Sequence, residues 1–219
     1  MASQGLVFDM DGVLVDVTGS YREAIARTVK HFTGLHVTPE QIQNYKNQGG
    51  WNNDWALAQK VCLDFGVGLD YDRVVEYFQS IFFGPDGLIN RERWIPEPGL
   101  LERLAARFAL SIFTGRTREE AAVTLSRYAG GIAFNPIVTT DDIEQSKPAP
   151  DGILRIRDLL AGRELFYIGD TVDDARAASA AAVRFIGIAG GNPELASLLK
   201  REGAIAVLQS INQVETILG

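Results

Sequence analysis

The sequence predicts an α/β protein: a parallel sheet covered by helices, with an all-helical block inserted after the first strand. Three observations carry this expectation. In the second half of the chain, short apolar runs alternate with amphipathic stretches. Between about residues 16 and 93 that alternation gives way to helix-period patterning alone. Several apolar runs end in acids, a hydroxyl or an amine, as strands feeding one ligand-binding edge do. At 219 residues with 46% apolar content, the chain can fill one core and carry a smaller insert.

The first strand is read at Val7-Phe8, and the apolar run from Leu6 closes on Asp9-Met10-Asp11-Gly12. Side chains alternate along a strand, so Asp9 and Asp11 leave toward one side. Two anions so close repel unless a cation or a phosphate-handling role separates them. Gly12 permits a sharp exit. Helix-period apolar residues then mark 21–32, 54–65 and 72–83, with no convincing strand among them. Thr38 before Pro39, followed by Glu40 and Gln41, predicts a capped helix start. The rigid Ile95-Pro96-Glu97-Pro98-Gly99 marks the return, before a helix at 100–107. Buried strands follow at 109–113, 136–138, 165–168 and 183–188, and a further one at 204–208. Helices near 117–129, 151–161 and 173–181 separate them. The expected division is residues 1–15 with 94–219 as the sheet core, and 16–93 as a helical cap.

The net charge of −7 argues against general binding to nucleic acid or an anionic membrane surface. The single cysteine, Cys62, excludes an intrachain disulfide and a thiolate metal cluster, and its flanks read as a buried helix face. No basic segment leads an apolar one, and no run approaches spanning length, so a soluble cytoplasmic protein is expected. His31 and His36 lack metal-ligand spacing.

The chemistry is expected where the strands end. The first gives Asp9 and Asp11; the strand at 109–113 gives Thr114 and Gly115, a hydroxyl and flexible backbone amides suited to a phosphate. Arg116 either reaches the substrate or pairs with an acid at the surface. Lys147, fixed by Pro148, supplies an ammonium, and Asp170, Asp173 and Asp174 close the strand at 165–168. Singly, each has a structural explanation: Thr-Gly as a turn, a surface lysine, acids favouring a helix N-terminus. Four such endings in this order are a specific signature.

Asp9-Met-Asp11-Gly-Val, Thr114-Gly115, Lys147-Pro148 and Gly169-Asp170-Thr-Val-Asp-Asp174 resemble the four motifs of the haloacid dehalogenase superfamily. The resemblance covers nearly the whole chain and implies a Rossmann-like core with a helical cap. It implies Asp9 as nucleophile, Asp11 as general acid/base, and Thr114 and Lys147 as phosphoryl-orienting groups. It also implies Mg²⁺ held by Asp9, the Asp11 carbonyl, Asp170 and Asp174, with the nearer of Asp173 and Asp174 left open. Dehalogenating members lack an acid at the Asp11 position, so its presence points to phosphate-ester hydrolysis. Phosphonate-cleaving members use a cap lysine; Lys30, Lys46 and Lys60 are candidates without specific context.

Elementary chemistry supports these roles. A carboxylate nucleophile splits the displacement into two steps, and Mg²⁺ favours the oxygen ligands this chain offers. The expected function is a Mg²⁺-dependent phosphatase acting on a small phosphorylated metabolite. A sugar-phosphate mutase and a catalytically idle binding protein are the alternatives. Sugar phosphates, phosphoglycolate and a phosphorylated amino-acid precursor such as histidinol phosphate all fit. In the insert, Gly49, Gly50, Trp51 and Asn52 are candidate substrate contacts beside a hinge-like Gly pair. The alternative there is a helix cap at Asn53 or Asp54 with Trp55 in the cap core. The motifs carry no signature of a particular oligomeric state.

Overall fold

Leu6, Val7 and Phe8 are wholly buried because their strand lies inside a six-stranded sheet. The computed structural model describes residues 4–219. In chain order, β1 (Gln4–Phe8) and β2 (Val15–Asp16) precede helices α1 (Tyr21–Thr33), α2 (Pro39–Gln48), α3 (Asp54–Asp64) and α4 (Tyr71–Phe82). Then come β3 (Arg93–Trp94), α5 (Leu100–Ala105), β4 (Ala109–Phe113), α6 (Arg118–Tyr128) and β5 (Ile137–Val138). The chain continues through α7 (Asp151–Leu159), β6 (Glu164–Gly169), α8 (Val172–Ala180) and β7 (Arg184–Ile188). It ends with α9 (Pro193–Arg201), β8 (Ala206–Leu208) and α10 (Glu215–Leu218).

The sheet runs β5-β4-β1-β6-β7-β8, with every pairing parallel. From β1 the chain builds outward through β4 and β5, then crosses back to β6 on the other side of β1. That reversal makes the carboxyl end of β1 a topological switch point, where open sheets of this kind bind ligands. The core between sheet and helices includes Val7, Phe113, Ile153, Ile156, Tyr167, Ala177 and Leu199. The strand expected at 136–138 begins one residue later, since Pro136 has no N–H to donate. The one expected at 204–208 begins at Ala206, although Ile205 already donates to the Phe185 carbonyl at 2.9 Å.

The chain packs as two compact units, one running to Val15 and resuming at Trp94–Gly219, the other Asp16–Arg93. Contrary to the expectation of no strand in the insert, its two ends contribute to a second, two-stranded sheet of β2 and β3. The pairing is helped by Arg93, whose guanidinium meets Asp16 at 2.6 Å. Within the helical unit, the rings of Tyr21, Phe78 and Phe82 cluster between α1 and α4. Cys62 is buried there, and burial pushes its thiol up to about 11, so it is packing and not a reactive centre. Thr38 and Gln41 form a full capping box on α2. Asn53 caps α3, accepting from Ala56 N at 3.0 Å, and Asp54 instead takes Lys46 at 2.5 Å. Trp55 meets Phe78 edge-on. Among the described residues, no helix is long and apolar enough to cross a membrane.

Candidate active site

Asp9 follows directly on β1 and is 5% exposed. Its Oδ1 accepts from the Met10 N–H at 2.8 Å and lies 3.0 Å from Lys147 Nζ. Among the described residues, nothing binds its Oδ2. Lys147 sits in the turn before α7, 3% exposed, and its ammonium also meets Asp174 Oδ1 at 2.7 Å. Phe113 and Tyr167 present their rings to the same ammonium, with centroids at 4.9 and 5.5 Å.

Asp174 is held as tightly as Lys147, for a local reason. Thr171 and Asp174 stand three apart at the start of α8 and form a capping box. Asp174 Oδ2 accepts from Thr171 N, Thr171 Oγ1 and Asp170 N at 3.0, 2.6 and 3.2 Å. Its Oδ1 accepts from the Tyr167 hydroxyl at 2.6 Å. The sequence motifs do not single out Tyr167. A tyrosine inside an aliphatic buried strand must find a partner for its hydroxyl, however, and that is the available signal.

These contacts set the charges. Burial pushes Asp9 up to about 7, helped by Asp174 and Asp11, against the pull of Lys147. Burial also works against the Lys147 ammonium, but Asp174 and Asp9 outweigh it and raise its pKa. For Asp174 burial is again opposed, by Lys147 and the donors around it, and the net direction is down. The site therefore holds an ionised Asp174–Lys147 pair beside a carboxyl that burial pushes toward its neutral form.

One oxygen from each of Asp9, Asp170 and Asp174 lies within 4.8 Å of the others. Asp174, not Asp173, is thus the α8 acid at this cluster. The donors are all carboxylate oxygens, which suits a hard divalent cation. Gly12 makes the room: its φ is +71°, and a Cβ would stand 1.9 Å from Asp170 Oδ2. Gly12→Ala should cost roughly 1–3 kcal/mol in stability. If the cluster takes a divalent cation, Gly12→Ala should also shrink the rise in Tm on adding it, as read by thermal melts with Mg²⁺ and with chelator.

Thr114 closes β4, and its Oγ1 accepts from Arg116 N at 3.2 Å, which leaves the hydroxyl proton to donate. Gly115 lies in the turn between β4 and α6. Arg116 answers neither sequence expectation. It is 2% exposed, and its guanidinium grips Asp11 Oδ1 through Nε at 2.7 Å and NH2 at 2.6 Å. The turn after Thr114 folds it inward, a placement that local pattern does not encode. Asp9 and Asp11 consequently face different cations. Gly49 ends α2 with φ +80°, and Gly50 follows at φ +82°. Trp51 meets Tyr45 edge-on, and Asn52 lies in the same loop before α3. Of the candidate imine lysines, Lys46 pairs with Asp54 and Lys60 with Asp64.

The sequence pattern of haloacid dehalogenase-like hydrolases matches residues 6–188. The chain belongs to that family. It is 32% identical over 223 residues to an imidazoleglycerol-phosphate dehydratase of Phytophthora nicotianae, covering 96% of this chain and 48% of that protein. The chain thus spans about half the length of that relative. It is 22% identical to a phosphoglycolate phosphatase of Escherichia coli O157:H7, over 99% of this chain and 92% of the other. A haloacid dehalogenase-like protein of unknown function from Agrobacterium tumefaciens superposes with a TM-score of 0.75 at 19% identity, covering 100% and 98% of the two chains. That likeness is one of fold. In this haloacid dehalogenase-like hydrolase, Asp9, Lys147, Asp170 and Asp174 come together beyond the carboxyl ends of β1 and β6.

Proposed function

We propose that this hydrolase is a Mg²⁺-dependent phosphatase of small phosphomonoesters working through an aspartyl-phosphate. The observation that carries the reading is the state of Asp9: Oδ1 is tied to Lys147 and Met10, and Oδ2 is left to attack. Asp9 Oδ2 forms a bond to phosphorus as the ester P–O bond breaks, and the leaving oxygen takes a proton from Asp11. Water then attacks the same phosphorus, giving its proton to Asp11, and inorganic phosphate leaves as Asp9 is restored. Thr114 donates its hydroxyl proton to a phosphoryl oxygen, and Lys147 offsets the charge of two anions meeting. Asp9, Asp170 and the Asp11 carbonyl, with Asp174, would hold Mg²⁺, which supplies charge neutralisation at the phosphoryl group. The helical unit 16–93 acts as the cap that selects the leaving group, with Gly49, Gly50, Trp51 and Asn52 as its contacts.

Two observations narrow the substrate. Similarity to phosphoglycolate phosphatases along nearly the whole chain favours a compact phosphomonoester. The higher identity to the dehydratase favours an ester bearing an imidazole, as that relative's name states for its own substrate. A panel of phosphoglycolate, histidinol phosphate and sugar phosphates, assayed with Mg²⁺ and with chelator, tests both. Metal-dependent phosphate release is expected, at least tenfold above the chelated enzyme. Isomerisation of a sugar phosphate without phosphate release would show a mutase instead, and no turnover of any ester would sink the enzyme reading.

A further inference from the structure

The buried ion pair between Arg116 and Asp11 is not needed for any step written above, yet it is built with care. Arg116 Nε donates to Asp11 Oδ1 and its NH1 to Thr124 Oγ1, both at 2.7 Å, and NH2 lies 2.6 Å from the same Asp11 oxygen as an ion-pair contact. A side chain so engaged is not presented to a phosphate, and at 1% side-chain exposure it is no surface pair. Asp11 itself is 30% exposed, so the pair joins a sequestered cation to a carboxylate that solvent and ligand can reach. Both contacts fall on one oxygen. Among the described residues nothing binds the other, Asp11 Oδ2.

We propose that Arg116, braced by Thr124, is a positioning residue that fixes Asp11 by Oδ1 so that Oδ2 exchanges protons with the leaving group and water. The proposal rests on the reading of Asp11 as general acid/base. An unrestrained aspartate samples several rotamers, and misplacing a catalytic group by about 1 Å can cost about a hundredfold in rate. The planar guanidinium suits the task because its fork fixes direction as well as distance, which an ammonium does not. Thr124, nearly two turns into α6, holds the fork from behind. The same backbone turn serves both halves of the site: Thr114 binds the Arg116 N–H, and the Arg116 side chain binds Asp11.

A difference in leaving groups separates this role from a merely structural one. An alkoxide must be protonated as it departs, whereas p-nitrophenolate leaves without a proton. The value of kcat/KM reports steps up to aspartyl-phosphate formation, where that proton is delivered. We would measure kcat/KM for phosphoglycolate and for p-nitrophenyl phosphate with wild type, Asp11→Asn, Arg116→Lys, Thr124→Val and Asp11→Asn/Arg116→Lys. Asp11→Asn is expected to lose about 10²-fold or more on the alkyl ester, and several-fold at most on the aryl ester. Arg116→Lys should show the same selectivity at about tenfold, Thr124→Val a smaller loss of the same kind, and the double variant no more than Asp11→Asn alone. Should Arg116→Lys fail to fold, Thr124→Val and the wild-type ratio still decide. Equal losses on both esters, or none, in the Arg116 and Thr124 variants while Asp11→Asn discriminates would overturn the positioning role alone. No discrimination by Asp11→Asn would overturn the acid/base reading and the proposal with it.

Discussion

Asp9→Asn is expected to abolish turnover, by at least about 10⁴-fold, while holding or raising the Tm at pH 8. The first effect follows from removing Asp9 Oδ2, the oxygen that the proposed mechanism uses to attack phosphorus, while Oδ1 stays tied to Met10 and Lys147. The second follows from linkage. Asp9 sits at about 7 in the folded chain, above the ordinary carboxylate value near 3.8, chiefly through burial. A raised carboxyl binds its proton more tightly when folded, so stability falls as pH climbs from the unfolded value through the folded one. Asparagine keeps the shape and never acquires the charge. Without a divalent cation, the gap in Tm between variant and wild type should therefore be small at pH 5 and widen toward pH 8. Near-wild-type phosphate release by the variant would remove Asp9 from the nucleophile's place. A Tm gap that closes with rising pH would contradict the electrostatic account.

Lys147→Met should be the most destabilising single change in the site, by about 3–5 kcal/mol at pH 8. The methionine fills the same space between Phe113 and Tyr167, so the loss reports charge more than volume. It leaves Asp9 and Asp174, both buried, with their shared ammonium gone. Asp174 is held down chiefly by Lys147, in opposition to burial, so without it both acids move upward in pKa. The penalty should then shrink as pH falls toward 5 and the carboxyls take up protons. Denaturant melts of the variant at the two pH values check this: a pH-independent loss would mean that packing, and not charge, was removed. Turnover should fall as well, by about 10²- to 10³-fold, the scale seen when one preorganised electrostatic donor is deleted.

The parts of this protein that depend on neighbours along the chain are legible in its residues. Apolar runs in alternation with amphipathic stretches specify a parallel α/β sheet, because burial on both faces demands continuous apolar strands. Thr38 with Gln41, and the Thr-Gly and Gly-Asp strand endings, specify caps and turns, because those depend on residues three or four apart. The acids, hydroxyl and amine can be collected at one edge because parallel strands all end on the same side. Strand limits move by a residue or two at Pro136 and Ala206, where pairing with a neighbour sets the boundary.

Which charge answers which is a property of the packed chain. By sequence spacing Asp9 and Asp11 are partners in one cluster; in the fold Lys147 takes Asp9 and Arg116 takes Asp11. Arg116 looks like a surface residue or a substrate contact until the turn after Thr114 carries it inward against Thr124. Tyr167 looks like one more apolar strand residue until its hydroxyl reaches Asp174. Gly12 looks like a simple turn until Asp170, far along the chain, occupies the space a Cβ would need. The elements and the chemical inventory can be read from residue order, since backbone hydrogen bonding and hydrophobic period are local. The assignment of each carboxylate to its cation belongs to the fold, since electrostatic pairing depends on distances between residues such as Asp11 and Arg116, 105 positions apart.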